Sequence, residues 1–413
     1  MGRVNFYSGY LGLCRKNISY RGADMKYRFA DLFCGCGGMS LGLINAGFKD
    51  VVAVDFWETA KVNYLSYPLL SKTCFCQTDM FNKNERDELL LLLKKKKIDI
   101  LAGGPPCQGF STLGKRKELD NRNTLVEAYL EMVLKVRPKM FIMENVPAIQ
   151  SMKHISGKKY PEYARELLEA NRFYVAKIIV EGFQVGLGQR RKRMFLVGIN
   201  KEYVRPIKNF EEILDITLKD MQPSDKYLSL REIIGDLPSL QSGEGEEEII
   251  VNDKKIYNHN VFKYEEQTLK RIKAVPKNGG LQDIPDDLLS NHLIKMKKGL
   301  YGSGGFVKNL YGRLDWNSAS GTIVAGIKKI TCGRFFHPTD DRLLTVREAA
   351  RLQSFPDDYK FYGSMIDQYT VVGNAVPPKF SQYVGSVLVK IFEKYEKDDI
   401  DENKIYCLET SNC

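Results

Sequence analysis

No stretch of the 413 residues approaches the 18 or more consecutive apolar residues of a membrane-spanning helix. The first twenty residues contain no compact apolar segment and no clear cleavage site, so they predict no export. There is no internal repeat. Nine cysteines, an odd count at irregular spacing, argue for reduced intracellular thiols rather than a disulfide framework. Two Cys-x-Cys pairs, Cys34/Cys36 and Cys74/Cys76, have no Cys-x-x-Cys and no accompanying histidine. They are read as incidental thiols, and no metal site is expected. What is present is 43% hydrophobic and 27% charged residues, which suits a folded globular chain. A net charge of +11 favours a polyanionic partner, though many Lys-rich proteins bind none.

The length predicts two domains. Apolar runs at Phe29–Phe33, Val51–Val54, Ile98–Ala102 and Met140–Met143 read as parallel strands. Helical patterns such as Glu85–Lys95 and Leu125–Val136 fall between them, and Tyr174–Val180 and Arg193–Ile199 add two strands. This alternation predicts an α/β fold with a doubly wound, Rossmann-like sheet. Regular patterning weakens from Lys201 to Lys329, where Gly, Lys, Asn and Tyr are frequent and an acidic run spans Glu244 to Glu248. It returns as helices at Thr345–Gln353 and Pro378–Tyr395. The expected division is an extension at 1–26, one domain at 27–200 and 364–397, a smaller loop-rich domain at 201–363, and a polar tail at 398–413.

Asp31-Leu32-Phe33-Cys34-Gly35-Cys36-Gly37-Gly38 ends the first strand and opens a helix. Its glycines allow a tight turn and close backbone approach, and the helix N-terminus favours a carboxylate or phosphate. Ser40 stands where a dinucleotide fingerprint would carry its third glycine. Asp55, at the end of the second strand, can accept both ribose hydroxyls of an adenosine. Asp79, in a third such position, can take the adenine amino group. Together these favour an adenosine with a carboxylate-bearing tail, as in S-adenosylmethionine, over NAD.

Gly103-Gly104-Pro105-Pro106-Cys107-Gln108-Gly109-Phe110-Ser111 follows a buried strand. Two glycines and two prolines stop that strand and set a rigid turn that presents one thiol at its carboxyl end. Ligands bind at that edge of an open α/β sheet. A thiol held there suits a nucleophile, and a nearby protonated Glu and an Arg could meet the charge that its addition creates. Glu144, at the end of the Met140–Met143 strand, and the cluster Gln189-Arg190-Arg191-Lys192-Arg193 offer both. Alternation along an extended segment puts Arg191 and Arg193 on one face. A buried acid after a strand is otherwise a structural hydrogen-bonder, and such a cluster is otherwise a solvated basic face.

The ordered set comprises Asp31–Gly38, Asp55, Asp79, Pro-Pro-Cys-Gln, Glu144-Asn145-Val146, Gln-x-Arg-x-Arg at Gln189, Arg347–Pro356 and Gly373–Pro378. It resembles the bacterial-type cytosine-C5 DNA methyltransferases over about Phe29–Ile199 and Gly321–Val389. Two departures are mild: Cys34 stands where Ala or Ser is commoner, and Asp55 stands where Glu is usual. The resemblance implies an S-adenosyl-L-methionine-dependent enzyme, releasing S-adenosyl-L-homocysteine, that methylates C5 of a flipped cytosine in a specific sequence of double-stranded DNA. It implies Cys107 as nucleophile, Glu144 as the N3 partner, and Arg191 and Arg193 near the flipped base. It implies Phe33, Gly35, Cys36, Gly38, Asp55, Phe56, Asp79, Pro106 and Asn374 as the cofactor lining. Arg347 to Pro356 would tie the two domains together.

The variable region between Arg193 and Arg347 is where that family reads sequence. Lys270, Arg271, Lys273, Lys277, Lys295, Lys297 and Lys298 are candidate phosphate contacts. Gly299 to Gly305, with Gly304, Tyr301 and Phe306, is a candidate groove-reading loop. Ser111, Arg122 and Gln189 are expected to touch nucleic acid. The implied setting is a monomer in the cytoplasm at the nucleoid, in restriction-modification with a cognate endonuclease or in orphan host marking. The competing expectations are a tRNA cytosine-C5 methyltransferase, disfavoured by the size of the variable segment, and a catalytically silent DNA-binding relative, disfavoured by the intact Cys107, Glu144 and Arg193.

Overall fold

The computed structural model describes residues 26–106, 123–299 and 309–397. The catalytic part alternates β1 (Arg28–Leu32), α1 (Gly38–Asn45), β2 (Lys49–Asp55), α2 (Glu58–Ser66), β3 (Cys74–Gln77), α3 (Lys83–Lys95), β4 (Ile100–Gly103), α4 (Asn123–Val136), β5 (Met140–Asn145), α5 (Tyr160–Ala170), β6 (Phe173–Glu181) and β7 (Lys192–Asn200). The remainder carries α6 (Phe210–Asp220), α7 (Leu230–Ile234), β8 (Gly245–Val251), β9 (Lys254–Asn260), α8 (Glu266–Lys273) and α9 (Asn291–Lys297). It closes with β10 (Gly312–Arg313), β11 (Arg334–Phe336), α10 (Val346–Leu352), α11 (Met365–Asn374) and α12 (Pro378–Tyr395).

The seven strands form one sheet in the order β3-β2-β1-β4-β5-β7-β6. The four expected parallel strands pair in parallel, and β7 runs antiparallel to both neighbours. Helices cover both faces. Along β5, Met140 and Ile142 pack with α1, α6 and α12, while Phe141 and Met143 pack with α3, α4 and α5. A strand buried on both sides reads as a continuous apolar run, which is why these strands stood out in the sequence. β3 did not: its Cys-Phe-Cys-Gln is short and lies at the sheet edge.

A third core joins the smaller part to the sheet. Leu230, Ile272, Leu310 and Phe336 pack in the same cluster as Ala53, Tyr64, Phe355 and Tyr369. The acidic run that suggested a loop is strand β8, paired in a hairpin with β9. Glu247 there accepts from the Asn258 and Asn260 side chains, so its charge has local partners.

Arg347, expected to tie the two parts together, makes its side-chain hydrogen bonds within 201–363. Its buried guanidinium donates to the Tyr257 carbonyl at 2.7 Å, the Pro356 carbonyl at 2.8 Å, and the Tyr359 carbonyl. Beside it, Arg342 grips Glu348 through both Nη atoms at 2.8 and 2.9 Å and holds Asp340 at 2.8 Å. Burial opposes ionisation of Glu348, but Arg342 outweighs it and holds the carboxyl down to about 2. No helix among the described residues is long and apolar enough to cross a membrane.

Candidate active site

The carboxyl ends of β1, β2, β4 and β5 lie side by side, because Leu32 pairs with both Val54 and Gly103, and Gly103 pairs with Met143. The turn after β1 is tight. Phe33 has φ +62°, Gly35 +54° and Gly37 +82°, a left-handed conformation that is costly for a phenylalanine. Space is open where a Cβ at Gly35 would sit, whereas one at Gly38 would strike the Val376 carbonyl. Gly38 thus lets the Gly373–Pro378 return lie directly on this turn.

Asp55 holds the turn from the next strand. Its Oδ2 accepts from the Gly35 amide at 3.0 Å and its Oδ1 from the Trp57 amide at 3.0 Å. Burial raises its pKa above the usual carboxylate value, against these two hydrogen bonds. Phe56 follows, 70% exposed, an unusual state for a large apolar ring at a sheet edge. Asp79 and Asn374 are exposed, and Pro106 is half-buried. Asp79 Oδ1 accepts from the Phe81 amide at 2.9 Å. Cys36 is buried, and its thiol approaches the Val371 carbonyl at 3.6 Å. An open glycine, a carboxylate and an unpartnered aromatic face around one turn fit an adenosine with a charged tail.

Beneath this turn Asp31 is fully buried, accepting from Ser40 Oγ at 2.7 Å. Burial, with smaller contributions from Asp50 and Asp55, pushes its pKa up to about 7 against that hydrogen bond. Sequence reading gave Asp31 no role of its own; its position on an otherwise apolar strand was the available signal.

Glu144 is the last residue but one of β5 and is buried. Its Oε1 meets Arg193 Nε at 2.8 Å. A Cβ at Gly104 would lie 3.3 Å from Glu144 Oε2, so only a small residue lets the Pro105–Pro106 turn pass this carboxylate. Asn145 Nδ2 donates to the Pro105 carbonyl at 3.3 Å and steadies the same turn. Asn145 was part of a recognised motif without a role; the polar end of an apolar strand was its signal. Cys107, Ser111 and Arg122 lie outside the described residues, as do Tyr301 and Gly304.

Two of the expected site residues bond inside the chain. Gln189 is wholly buried: its Oε1 accepts from the Ile323 amide, and its Nε2 donates to the Leu352 carbonyl and Gln353 Oε1. Its amide is engaged inside the chain rather than displayed to nucleic acid. Arg191 is also buried, donating from Nη1 to the Ile323 carbonyl at 2.8 Å and from Nη2 to the Ala375 carbonyl at 3.0 Å. Its fork holds two backbone segments together. Burial lowers its pKa, Arg193 adds to that effect, and Glu144 opposes it. The neighbour that sequence reading passed over, Arg190, is exposed and lines a cavity of about 510 Å³ with Asn278, Asp315, Thr322 and Arg334.

Several of the candidate phosphate contacts have local partners. Lys270 is exposed and pairs with Glu266 at 2.7 Å, Lys277 with Asp315 at 3.3 Å, and Lys297 with Asp286 at 2.9 Å. Such surface pairs are weak and exchange readily for phosphate. Arg271 Nε is engaged by the Leu288 carbonyl, and Lys298 is exposed at the end of α9. No group of three or more His, Cys, Asp or Glu that could hold a metal occurs among the described residues.

Residues 27–390 match the family model for C-5 cytosine-specific DNA methylase. The chain is 30% identical over 395 residues to the type II methyltransferase M1.HphI of Haemophilus parahaemolyticus, covering 94% of this chain and 90% of that one. It is 29% identical to the type II methyltransferase M.DdeI of Desulfomicrobium norvegicum, covering 88% of each. Among solved structures it matches one described as a candidate DNA modification methyltransferase encoded within a prophage (E. coli), with a TM-score of 0.64, 22% identity, 89% of this chain and 99% of that one. The S. pombe Dnmt2 methyltransferase matches with a TM-score of 0.57 and 17% identity over 89% of this chain and 99% of that one; both structures speak to the fold alone. The sheet order, the site at its carboxyl edge and the match across nearly the whole chain agree: the protein belongs to the C-5 cytosine-specific DNA methylase family and is a DNA (cytosine-5)-methyltransferase.

Proposed function

We propose that the chain transfers a methyl group from S-adenosylmethionine to C5 of a cytosine turned out of duplex DNA. The observation that supports this best is the Glu144–Arg193 pair, 2.8 Å apart, set against the glycine-proline turn that leads into Cys107. In this reading the Cys107 thiolate adds to C6, the C5=C6 π pair shifts to C4–C5, and the C4=N3 pair moves onto N3, sharing its charge with O2. Glu144 bonds the ring at N3 and Arg193 keeps its carboxyl aimed there. C5 becomes enamine-like. S-adenosylmethionine, when bound, supplies an electrophilic methyl on sulfur. Loss of the C5 proton then restores the double bond and releases Cys107 as a thiolate.

Phe56 would face the adenine, Asp55 the ribose, and the backbone from Phe33 to Gly38 the charged tail, with Cys36, Asp79, Pro106 and Asn374 completing the lining. Residues 27–200 and 364–397 would perform the chemistry, and 201–363 would read the DNA. The type II relatives support a role in restriction-modification with a partner endonuclease, acting on DNA in the cytoplasm. Bisulfite sequencing of DNA from cells expressing the chain tests the reading. Protection of cytosine within one recurrent sequence is expected; unprotected DNA alongside methylated RNA from the same cells contradicts it.

A further inference from the structure

Gln189, Arg191 and Gln353 form a buried node joining three separate parts of the molecule. The first is the wall at 318–324. The Ile323 amide donates to Gln189 Oε1 at 3.1 Å, and the Ile323 carbonyl accepts from Arg191 at 2.8 Å. Backbone bonds extend the seam: the Arg190 amide donates to the Ser320 carbonyl and the Ser320 amide to the Gly188 carbonyl, both at 2.8 Å. Thr322 Oγ1 donates to the Arg190 carbonyl at 2.8 Å. The second part is the return that lies on Gly38. Gln353 Nε2 donates to the Val372 and Ala375 carbonyls at 2.8 and 3.3 Å, and Arg191 also reaches Ala375. The third is the catalytic edge, because Arg193 on Glu144 is two residues along the chain from Arg191.

The wall has its own open side. Ser318, Thr322 and Val324 line the 510 Å³ cavity, which Asn278, Asp315 and Arg334 help to complete. Its polar groups suit the edges and backbone of DNA. The node therefore lies between this mixed cavity and the reacting edge, and every group in it has a fixed direction: a planar amide, a second planar amide and a planar fork.

We infer that Gln189 and Arg191 are positioning residues that set the distance from the DNA-engaging cavity to the Glu144–Arg193 pair. Only a duplex seated correctly in the cavity then brings its cytosine to that pair. This inference rests on the proposed reading of residues 201–363 as the part that reads DNA. Arg191 cannot be replaced by lysine here, since an ammonium is a point donor and cannot span the Ile323 and Ala375 carbonyls as a fork does.

The test compares the full chain with Arg191→Lys and with the milder Thr322→Val, which removes one bond of the seam. Each is assayed for kcat and KM on the methylated duplex and on duplexes with one flanking base changed. S-adenosylhomocysteine affinity and the thermal midpoint are measured alongside. Arg191→Lys should lower kcat about tenfold on the preferred duplex while KM stays within about threefold. Its preference over the changed duplexes should also shrink by about tenfold, with Thr322→Val moving the same way by less. A folded Arg191→Lys protein with wild-type kcat and preference overturns the inference. So does an equal loss on all duplexes, which marks a merely structural role. If an active chimera carrying a relative's residues 201–363 keeps the original target, the DNA-reading assignment fails, and the inference with it. If the target follows the chimera but preference ignores both substitutions, the inference fails alone.

Discussion

Arg193 Nε lies 2.8 Å from Glu144 Oε1, across the antiparallel pair of β5 and β7. Both side chains are largely shielded from solvent, so the pair is weakly screened. Arg193→Ala removes the group that aims Glu144. The single-turnover methylation rate should fall by about a hundredfold or more, the scale of losing an acid–base group, with smaller changes in S-adenosylhomocysteine affinity. Rapid-quench kinetics check this. A rate equal to wild type would remove Arg193 from the chemistry.

Phe56 is the exposed ring beside Asp55. If it stacks on adenine, Phe56→Ala should weaken S-adenosylhomocysteine binding by about tenfold, the scale of one lost stacking contact. The thermal midpoint without ligand should stay nearly unchanged, because the ring buries little surface in the free protein. Calorimetric titration with S-adenosylhomocysteine measures the first and a thermal melt the second. Unchanged affinity would place the adenine elsewhere.

Much of the site could be read from the chain because its carriers end apolar strands. Asp55 and Glu144 are polar residues that close runs buried on both faces, and that position is visible without coordinates. The internal bonding of Gln189 and Arg191 could not be read from the sequence, for a physical reason. Alternation tells which side chains share a face but not whether that face meets solvent, DNA or another part of the chain. Their partners, Ile323, Leu352 and Ala375, are 132 to 184 residues away for the bonds concerned. The smaller part was hard to read because most of its helices are short and much of its core is shared with the sheet; the exception is α6, whose Phe210, Ile213, Leu214 and Leu218 fall at helical spacing. The acidic strand β8 hid for a related reason: four of its seven residues are exposed at its start, and no alternation appears.

Asp31 should make stability fall with rising pH. Its carboxyl is raised from 3.8 to about 7 in the folded chain, so between these values the folded state holds a proton that the unfolded state has lost. Stability contributed by this proton is present at low pH and disappears as pH rises through about 7. Asp31→Asn abolishes the titration. The melting temperature of the variant relative to wild type should therefore rise from pH 5 to pH 8. A difference that stays flat over that range would contradict the assignment.

Glu348 has the opposite sign. Its carboxyl is lowered from 4.5 to about 2 by Arg342, so its contribution is present above 4.5 and lost as pH falls toward 2. Glu348→Ala leaves Arg342 buried with only Asp340 as a charged partner. The cost at neutral pH should be about 3–5 kcal/mol, the range for breaking one side of a buried pair. Urea unfolding at pH 7 and at pH 3 measures it, and the gap between variant and wild type should narrow at the lower pH.

The central claim is covalent catalysis at C6 by Cys107. DNA carrying 5-fluorocytosine at the target position keeps fluorine where a proton must leave, so the adduct cannot resolve. Incubation with S-adenosylmethionine should give a denaturation-resistant protein–DNA species whose mass equals protein plus DNA plus one methyl group. Peptide mapping should place the link on Cys107, and Cys107→Ser should give no such species. Wild-type protein that methylates normal DNA at C5 but never forms the adduct, or that forms it through another residue, would contradict the account.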